Sequence, residues 1–299
     1  MKKRRNILER IGTVDYVILI VLGLFALVCI YPFYQTLLLA FSSEEAYAAH
    51  PLYMLPYSMD FSAFKIVFAD SKFWTAMLVT IVTTVIDVVA CMVVTVSGAY
   101  VLAKKDLVGG KFFSFLVVFT MMIQAPLIPV YLNIRDLGLY DNLLVYVLPV
   151  LVNFYYMLLM RNYFNEIPPD LTEAAEIDGA NPITILTKIL VPISKPFIAT
   201  FCLFFAVERW NEWYIPNIYI MDPEKFTLQY YLRTTLADMN QTLGEIAEQM
   251  IAQGVDIQVS HDGALRSASI LLAALPIVCV YPFVQKYLIK GMTAGAVKG

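Results

Sequence analysis

Long uninterrupted blocks of apolar residues constrain this sequence more than any other feature. An α-helix needs about 20 mostly apolar residues to cross a bilayer core. Hydrocarbon offers no partner for backbone amides and carbonyls, so a crossing segment must satisfy them internally. Of the 299 residues, 60% are hydrophobic and 15% are charged, whereas a soluble domain carries about a quarter charged residues. The blocks therefore predict an all-α integral membrane protein.

Six blocks are long enough to be predicted as spans. They are Tyr16–Leu39, Trp74–Leu102, Phe112–Leu132, Leu143–Met160, Pro196–Tyr214 and Ala268–Leu288. The first is too long for the apolar core of a signal peptide, and no small-residue cleavage site closes it, so we expect it to be retained. We expect the fifth span to continue a helix that begins before the membrane.

The distribution of charge predicts the orientation of the spans. Cytoplasmic loops are enriched in Lys and Arg, and most of the 21 basic residues fall in inner segments if the N-terminus is inside. Residues 1–15 and 291–299 are then cytoplasmic ends of a transmembrane domain over residues 16–290. An inner loop spans residues 161–195, and an outer loop spans residues 215–267, with a helix predicted over Leu228–Gln253. That outer loop is either a surface that receives another protein or a solvated cap on the bundle.

The inner loop is predicted to contain a short, sharply bounded helix. Pro168 and Pro169 end the preceding helix, because proline lacks an amide donor. Asp170 can cap a new helix, and Glu173 three residues later gives a capping-box pattern. Gly179 stands where a left-handed residue commonly ends a helix.

A second helix follows at once, with Asn181 as its cap and Pro182 at its first position. In the first helix, Leu171, Ala174, Ala175 and Asp178 share one face by their spacing. Two alternatives fit these features. The helix is either a docking element whose small side chains let another backbone approach, or an amphipathic connector on the membrane surface.

The same loop resembles the EAA loop of permease subunits of ATP-binding-cassette (ABC) importers. The matching residues are Glu173, Ala174, Ala175, Gly179, Ile189, Val191 and Pro192, with Val191 in place of the usual leucine. Stretches such as Trp210-Asn211 and the tail from Ala294 extend the resemblance to carbohydrate permeases of the maltose-permease-like type, and closest to the LplC-type polysaccharide permeases.

The resemblance implies an ABC type I importer permease fold and a role in sugar uptake, with oligosaccharides as expected substrates. It implies four kinds of partner: a second permease in a heterodimer, two cytoplasmic ATPase subunits, an extracytoplasmic solute-binding protein and the sugar. It implies contact with the ATPase through Glu173, Ala174, Ala175, Asp178, Gly179 and Pro192. The tail would reach between the ATPase subunits, and the location would be a bacterial cell membrane.

No phosphate-binding loop of the GxxxxGK[ST] type occurs in the sequence. We therefore expect a non-catalytic subunit with no cofactor of its own, ATP and Mg²⁺ being bound by a partner ATPase. The four cysteines lie singly in apolar blocks and the two histidines lie far apart, so neither suggests a metal site. Nothing in the composition indicates nucleic-acid binding.

Polar residues inside a span are costly and usually face the interior. The candidate substrate-pathway residues are Asp87, Gln124, Asn153, Trp210, Asn211 and Glu212. For the cluster of Glu208, Arg209 and Glu212 beside two tryptophans, we favour an interfacial aromatic belt with an ion pair inside the bundle over direct sugar contacts.

Two other classes remain as alternatives. An ion-gradient-driven secondary transporter or channel would use Asp87 as an ion site, but the two halves of the sequence show no convincing repeat of the kind common in such folds. A silent membrane scaffold would need only the spans. The EAA loop separates the three hypotheses, because only an ABC permease needs it.

Overall fold

The computed structural model describes residues 12–43, 46, 49–50, 55, 57–123, 125–238 and 263–296. Within those ranges the regular structure is helical and no strand occurs. The α-helices are α1 (Thr13–Ala40), α2 (Ser62–Ala69), α3 (Ser71–Ala103), α4 (Gly110–Met122), α5 (Leu127–Asp136), α6 (Phe154–Glu166), α7 (Asp170–Ile177), α8 (Pro182–Ile185), α9 (Val191–Ile193), α10 (Lys195–Trp210), α11 (Tyr214–Tyr219), α12 (residues 228–238) and α13 (Gly263–Ala296).

Short helices of other types connect these elements. Leu143–Tyr146, Leu148–Val150 and Pro223–Lys225 form 3₁₀ turns, and Leu186–Leu190 is a π-helical segment. Gln124, residues 239–262 of the predicted outer loop and most of residues 1–15 lie outside the described residues. Helix α13 continues to Ala296, into the segment predicted as a tail.

In the described ranges, two helices are long and apolar enough to cross a membrane without a break, over Val14–Ala40 and Ser71–Ala103. Three pairs of helices, each bent by more than 40°, raise the number to five if each pair is one span. The apolar part of α13, Gly263–Cys279, is shorter. The all-helical membrane class is confirmed, and the count of six spans stays a prediction.

The predicted third, fourth and fifth spans are broken rather than straight. Gly110–Met122 is separated from Leu127–Asp136 at Pro126, and the fourth span begins as 3₁₀ turns around Pro149 before α6. The expectation that the fifth span continues an earlier helix is wrong. Residues Pro182–Ile193 meet α10 at 86°, because Ser194 leaves helical geometry and Pro196 lies in the first turn of α10.

The chain divides into two units. In the unit of Met1–Ala69 and Met239–Leu272, Ala40, Ala63 and Ala268 form a small buried cluster. Phe41 packs on Phe64 with ring centroids 4.8 Å apart, and the Phe41 carbonyl accepts a 2.8 Å hydrogen bond from the Asp60 amide. Small side chains here let three helical segments meet closely.

The unit of Asp70–Asp238 and Ala273–Gly299 holds the main core. Buried side chains of α3, α6 and α10 pack together with two from the part of the predicted inner loop that follows α6. The core residues are Cys91, Met92, Val96, Ala99, Tyr100, Met157, Met160, Phe164, Ile185, Leu190, Phe201 and Phe205. The loop is therefore anchored in the bundle through Ile185 and Leu190.

At the opposite end of the same unit, polar contacts of Asp141 fix the backbone that follows α11. We call this group of contacts the Asp141 clasp. Asp141, at a positive φ of 53°, accepts hydrogen bonds from the Met221 and Asp222 amides at 3.2 and 3.1 Å and pairs with Lys225 at 3.2 Å. The backbone donor of Asp222, followed by that of Met221, lowers the pKa of Asp141. The ionised form of Asp141 thus fixes the segment after α11.

At Gly98, α3 approaches Met157 of α6 closely. A Cβ atom added there would lie 2.6 Å from the Met157 Cε, which is shorter than any normal contact. The tip of methionine is flexible, so a methyl group can be accommodated by a shift of Met157, whereas a larger side chain also meets the buried core around it.

Gly98→Leu should lower the free energy of unfolding by about 1–3 kcal/mol through overpacking, while Gly98→Ala should cost less. The measurement is thermal unfolding of the purified protein in detergent. Gly23→Leu is the matched control, because a Cβ on Gly23 of α1 meets nothing within 4 Å. Equal stability of Gly98→Leu and Gly23→Leu would contradict the close approach.

Candidate functional site

The inner loop carries a short exposed helix, α7, that begins one residue earlier than the capping pattern predicts. Pro169 already has helical angles, with φ −62° and ψ −26°, and no side chain caps the helix start. Asp170 is the first helical residue, so its predicted capping role is wrong. Its carboxylate and that of Glu173 still lie in the first turn, where the helix dipole favours negative charge.

The end of α7 is built as predicted. Gly179 has a φ of 81°, its amide donates to the Glu176 carbonyl at 3.0 Å, and the Ala180 amide donates to the Ala175 carbonyl at 2.9 Å. This pair of hydrogen bonds is the Schellman ending. The Asn181 side chain then accepts from the Thr184 amide at 2.8 Å and caps α8. The turn is therefore rigid and depends on glycine for its backbone angle.

The two alanines of α7 point in different directions. Ala174 is exposed, as are Glu173, Asp178 and Gly179, whereas Ala175 is half-buried and packs against the main core. The predicted face of Leu171, Ala174, Ala175 and Asp178 is therefore exposed at three positions, and at Ala175 it joins α7 to the bundle. Pro192 is exposed in the first turn of α9.

An ion pair connects α7 with the end of α3. Lys104 Nζ lies 3.7 Å from Glu176 Oε1 and 5.4 Å from the centroid of the Tyr100 ring. A surface pair of this kind contributes little stability, but it places the exposed helix directly against the longest span of this unit.

The middle of α3 holds a buried carboxylate. Asp87 is 1% exposed, and its Oδ2 lies 3.6 Å from Nε of Arg209 on α10. Arg209 also approaches Glu212 Oε2 at 3.2 Å and donates to the Tyr146 carbonyl at 3.3 Å. One guanidinium thus joins two helices and the 3₁₀ segment, and it compensates a charge that would be very costly to leave alone in hydrocarbon.

The remaining candidate residues divide between this site and the local backbone. Glu212 also accepts hydrogen bonds from the Tyr214 and Ile215 amides at the start of α11. The Asn211 side chain donates to the Val207 carbonyl at 2.8 Å within its own helix. Trp210 is buried and its indole donates to the Ala273 carbonyl at 3.1 Å, so the interfacial-belt prediction is wrong for this residue.

A cavity of about 440 Å³ opens beside the ion pair. Its lining brings Asp87 and Asn153 together with Glu208, Arg209 and Tyr155. The Tyr156 hydroxyl donates to Glu208 at 2.5 Å. Arg209 and Glu208 were noted in the sequence only as a charged cluster. The signal that identifies Arg209 is a basic residue near the end of an apolar helix, an acidic residue three positions later, and a lone carboxylate in another span.

The comparisons agree with this architecture. The family model described as binding-protein-dependent transport system inner membrane component matches residues 66–294. The chain is 33% identical over 276 residues to the polygalacturonan/rhamnogalacturonan transport system permease protein YtcP of Bacillus subtilis, covering 92% of this chain and 95% of that protein. It is 35% identical over 280 residues to the protein LplC of the same organism, covering 93% and 92%.

Among solved structures, a bacterial ABC transporter involved in the import of the acidic polysaccharide alginate contains a chain that superposes with a TM-score of 0.82. The sequence identity is 36%, covering 93% of this chain and 99% of that chain. The protein belongs to the family of binding-protein-dependent transport system inner membrane components. This membership favours an ABC permease over the gradient-driven transporter and confirms the carbohydrate-permease resemblance.

Arg209→Ala should destabilise the protein by about 3–5 kcal/mol, because it leaves Asp87 buried and unpaired. Replacing both residues with alanine should cost less than the sum of the two single changes. Thermal unfolding in detergent measures all three variants. Arg135→Ala is the matched control, since Arg135 pairs with Asp136 at the exposed surface and should change little. If the double variant loses as much stability as the two single variants together, the ion pair does not stabilise the protein.

Proposed function

We propose that this chain is the transmembrane permease subunit of an ABC importer for glycans, and that α7 passes the motion of a partner ATPase to the spans. The observation that carries the proposal is the combination in one loop of an exposed, rigidly ended helix and two side chains fixed in the bundle core. A mere connector on the membrane surface would need neither feature.

The exposed surface of the loop suits a protein partner. Ile177 and Ile183 are 86% and 73% exposed on either side of the Gly179 turn, and Glu173 and Asp178 lie beside them. Apolar side chains rimmed by charges are typical of a protein contact. The small Ala174 lets a partner backbone approach α7 closely. The hydrogen bonds of the Schellman ending keep the end of α7 rigid when the partner moves against it.

Two sets of contacts connect the inner loop with the helices that line the cavity. Ile185 and Leu190 pack in the same core as residues of α3, α6 and α10, and Glu176 meets Lys104 at the end of α3. Asp87 lies about 25 Å along α3 from Lys104, at 1.5 Å per residue. A displacement of the loop thus reaches the two helices that carry Asp87 and Arg209.

The wider mechanism follows from the family. An extracytoplasmic binding protein delivers the sugar, two cytoplasmic ATPase subunits bind ATP and Mg²⁺, and this chain with a second permease alternates between outward-open and inward-open states. The chain moves its substrate without changing it covalently. In a bacterial cell membrane with both termini inside, the 161–195 loop faces the ATPase, and the end with the Asp141 clasp faces the binding protein.

A glycan is the cargo that the comparisons favour. Permeases named for polygalacturonan/rhamnogalacturonan, for arabinooligosaccharides and for melibiose, raffinose and stachyose all align over at least 90% of this chain. The cavity fits that class, because it sets Tyr155 and Phe205 beside Asn153 and charged groups. A sugar ring packs against an aromatic face, and its hydroxyl groups form hydrogen bonds with the polar groups beside that face.

Gly179→Val and Ala174→Trp should leave expression and membrane insertion near normal but sharply reduce association with the ATPase. The first strains a backbone with φ 81° by about 1 kcal/mol or more, and the second holds the partner away. Co-purification of the ATPase and the ATPase rate with liganded binding protein measure the effect.

Gly138→Val is the matched control for the strained turn. Gly138 has a φ of 70° and open space around it, as Gly179 does, but it lies after α5, away from the inner loop. It should keep ATPase association. Full association and stimulated hydrolysis in both inner-loop variants would reduce α7 to a connector.

The chain should assemble as a heterodimer with a second permease rather than with itself. The chain contains one coupling loop and one charged cavity, which together form one half of a transport pathway. Size-exclusion chromatography with light scattering, on the chain expressed alone and together with its neighbouring permease, measures the assembly. A stable homodimer that transports sugar with the ATPase would contradict this expectation.

A further inference from the structure

The charges around the 440 Å³ cavity do not balance. The lining contributes the carboxylates of Asp87 and Glu208 and the guanidinium of Arg209. Glu212 adds a third carboxylate 3.2 Å from the same guanidinium. One positive group therefore stands against three negative groups.

The positive group is already engaged. Arg209 Nε faces Asp87 at 3.6 Å, and Nη1 is shared between Glu212 and the Tyr146 carbonyl at 3.2 and 3.3 Å. An anionic ligand that recruited Arg209 would have to compete with two carboxylates fixed next to it. Such competition costs a partly buried carboxylate its partner, which is a large penalty.

Glu208 supplies the uncompensated charge at the cavity wall. Its carboxylate accepts a hydrogen bond from the neutral hydroxyl of Tyr156, and it forms no ion pair with any residue that the structure describes. A hydroxyl donor supports the carboxylate without cancelling its charge. An approaching carboxylate would meet this group at close range.

The neutral part of the lining suits a sugar ring. Tyr155 is 55% exposed and presents its ring next to the cavity. The Oδ1 atom of Asn153 accepts from the Tyr156 amide at 3.1 Å, which leaves the Nδ2 donors for another acceptor. Carboxylates at the wall accept hydrogen bonds from hydroxyl groups.

We propose that this cavity passes uncharged, hydroxyl-rich sugar units and disfavours units that carry a carboxylate, with Glu208 as the residue that sets this selectivity. The proposal rests on the transport function above and goes further by naming the charge class of the glycan. It distinguishes this chain from the permease of the alginate importer, whose substrate is an acidic polysaccharide, and from the relative named for polygalacturonan, whose sugar units also carry carboxylates.

The test measures the electrostatic potential of the cavity without using a substrate. Val152 lines the cavity and is 45% exposed, so Val152→Cys places a thiol at the wall. The purified full-length chain in a neutral detergent is labelled with a trimethylammonium-ethyl and with a sulfonatoethyl methanethiosulfonate. The protein with Val152 intact gives the background rate from its own four cysteines.

The cationic reagent should label Cys at position 152 faster than the anionic reagent, relative to their rates with free cysteine. Adding Glu208→Gln should reduce that ratio severalfold, because it removes one unit charge from the wall of the same cavity. Glu166→Gln is the matched control, because Glu166 is exposed at the far end of α6, and it should leave the ratio unchanged.

A ratio at or below one, or a ratio that Glu208→Gln does not lower, would overturn the proposal. Labelling needs neither ATP nor the binding protein, so its result is independent of transport. Failure of the complete importer to take up any sugar would instead contradict the proposed function. The two failures are therefore distinguishable.

Discussion

Hydrocarbon cannot hydrogen-bond to a polar group, and this constraint shapes the structure at every level. It requires helical backbone in the spans, and where a span is broken it requires local substitutes such as the 3₁₀ turns around Pro149. It also requires a partner for Asp87. Arg209 provides that partner and, in doing so, holds α3, α10 and the Tyr146 segment together.

The buried core of this unit connects stability with transport. A single core contains side chains from the inner loop, from α3 and from α10, so the loop cannot move without disturbing the helices that line the cavity. Close packing transmits displacement because it leaves little free space to absorb it. The tight approach at Gly98 and the contact between Lys104 and Glu176 lie on this route.

The features that depend only on residues close together in the chain were predictable from the sequence. Apolar length gave the helical membrane class, and glycine and asparagine gave the end of α7 and the cap of α8. Where several elements compete, sequence reasoning was insufficient. It did not show that Ala175 meets the core, because helical spacing does not say which part of a face is buried. It also expected the fifth span to continue an earlier helix, which the bend at Ser194 excludes. It assigned Trp210 to an interface because the Ala273 carbonyl that accepts its indole proton lies far away in the chain.

The position of the ion pair in the chain has a consequence for biosynthesis. A carboxylate at the centre of a span raises the free energy of insertion by about 2.5–3.5 kcal/mol, and Arg209 follows Asp87 by 122 positions in the chain. At a synthesis rate of about 5–20 residues per second, the compensating guanidinium emerges on the order of 10 s after the carboxylate. Helix α3 must therefore enter the bilayer with its charge unpaired. Its most apolar window of 18 residues, with a mean hydropathy of 2.5, supplies the apolar surface that makes this order of events feasible.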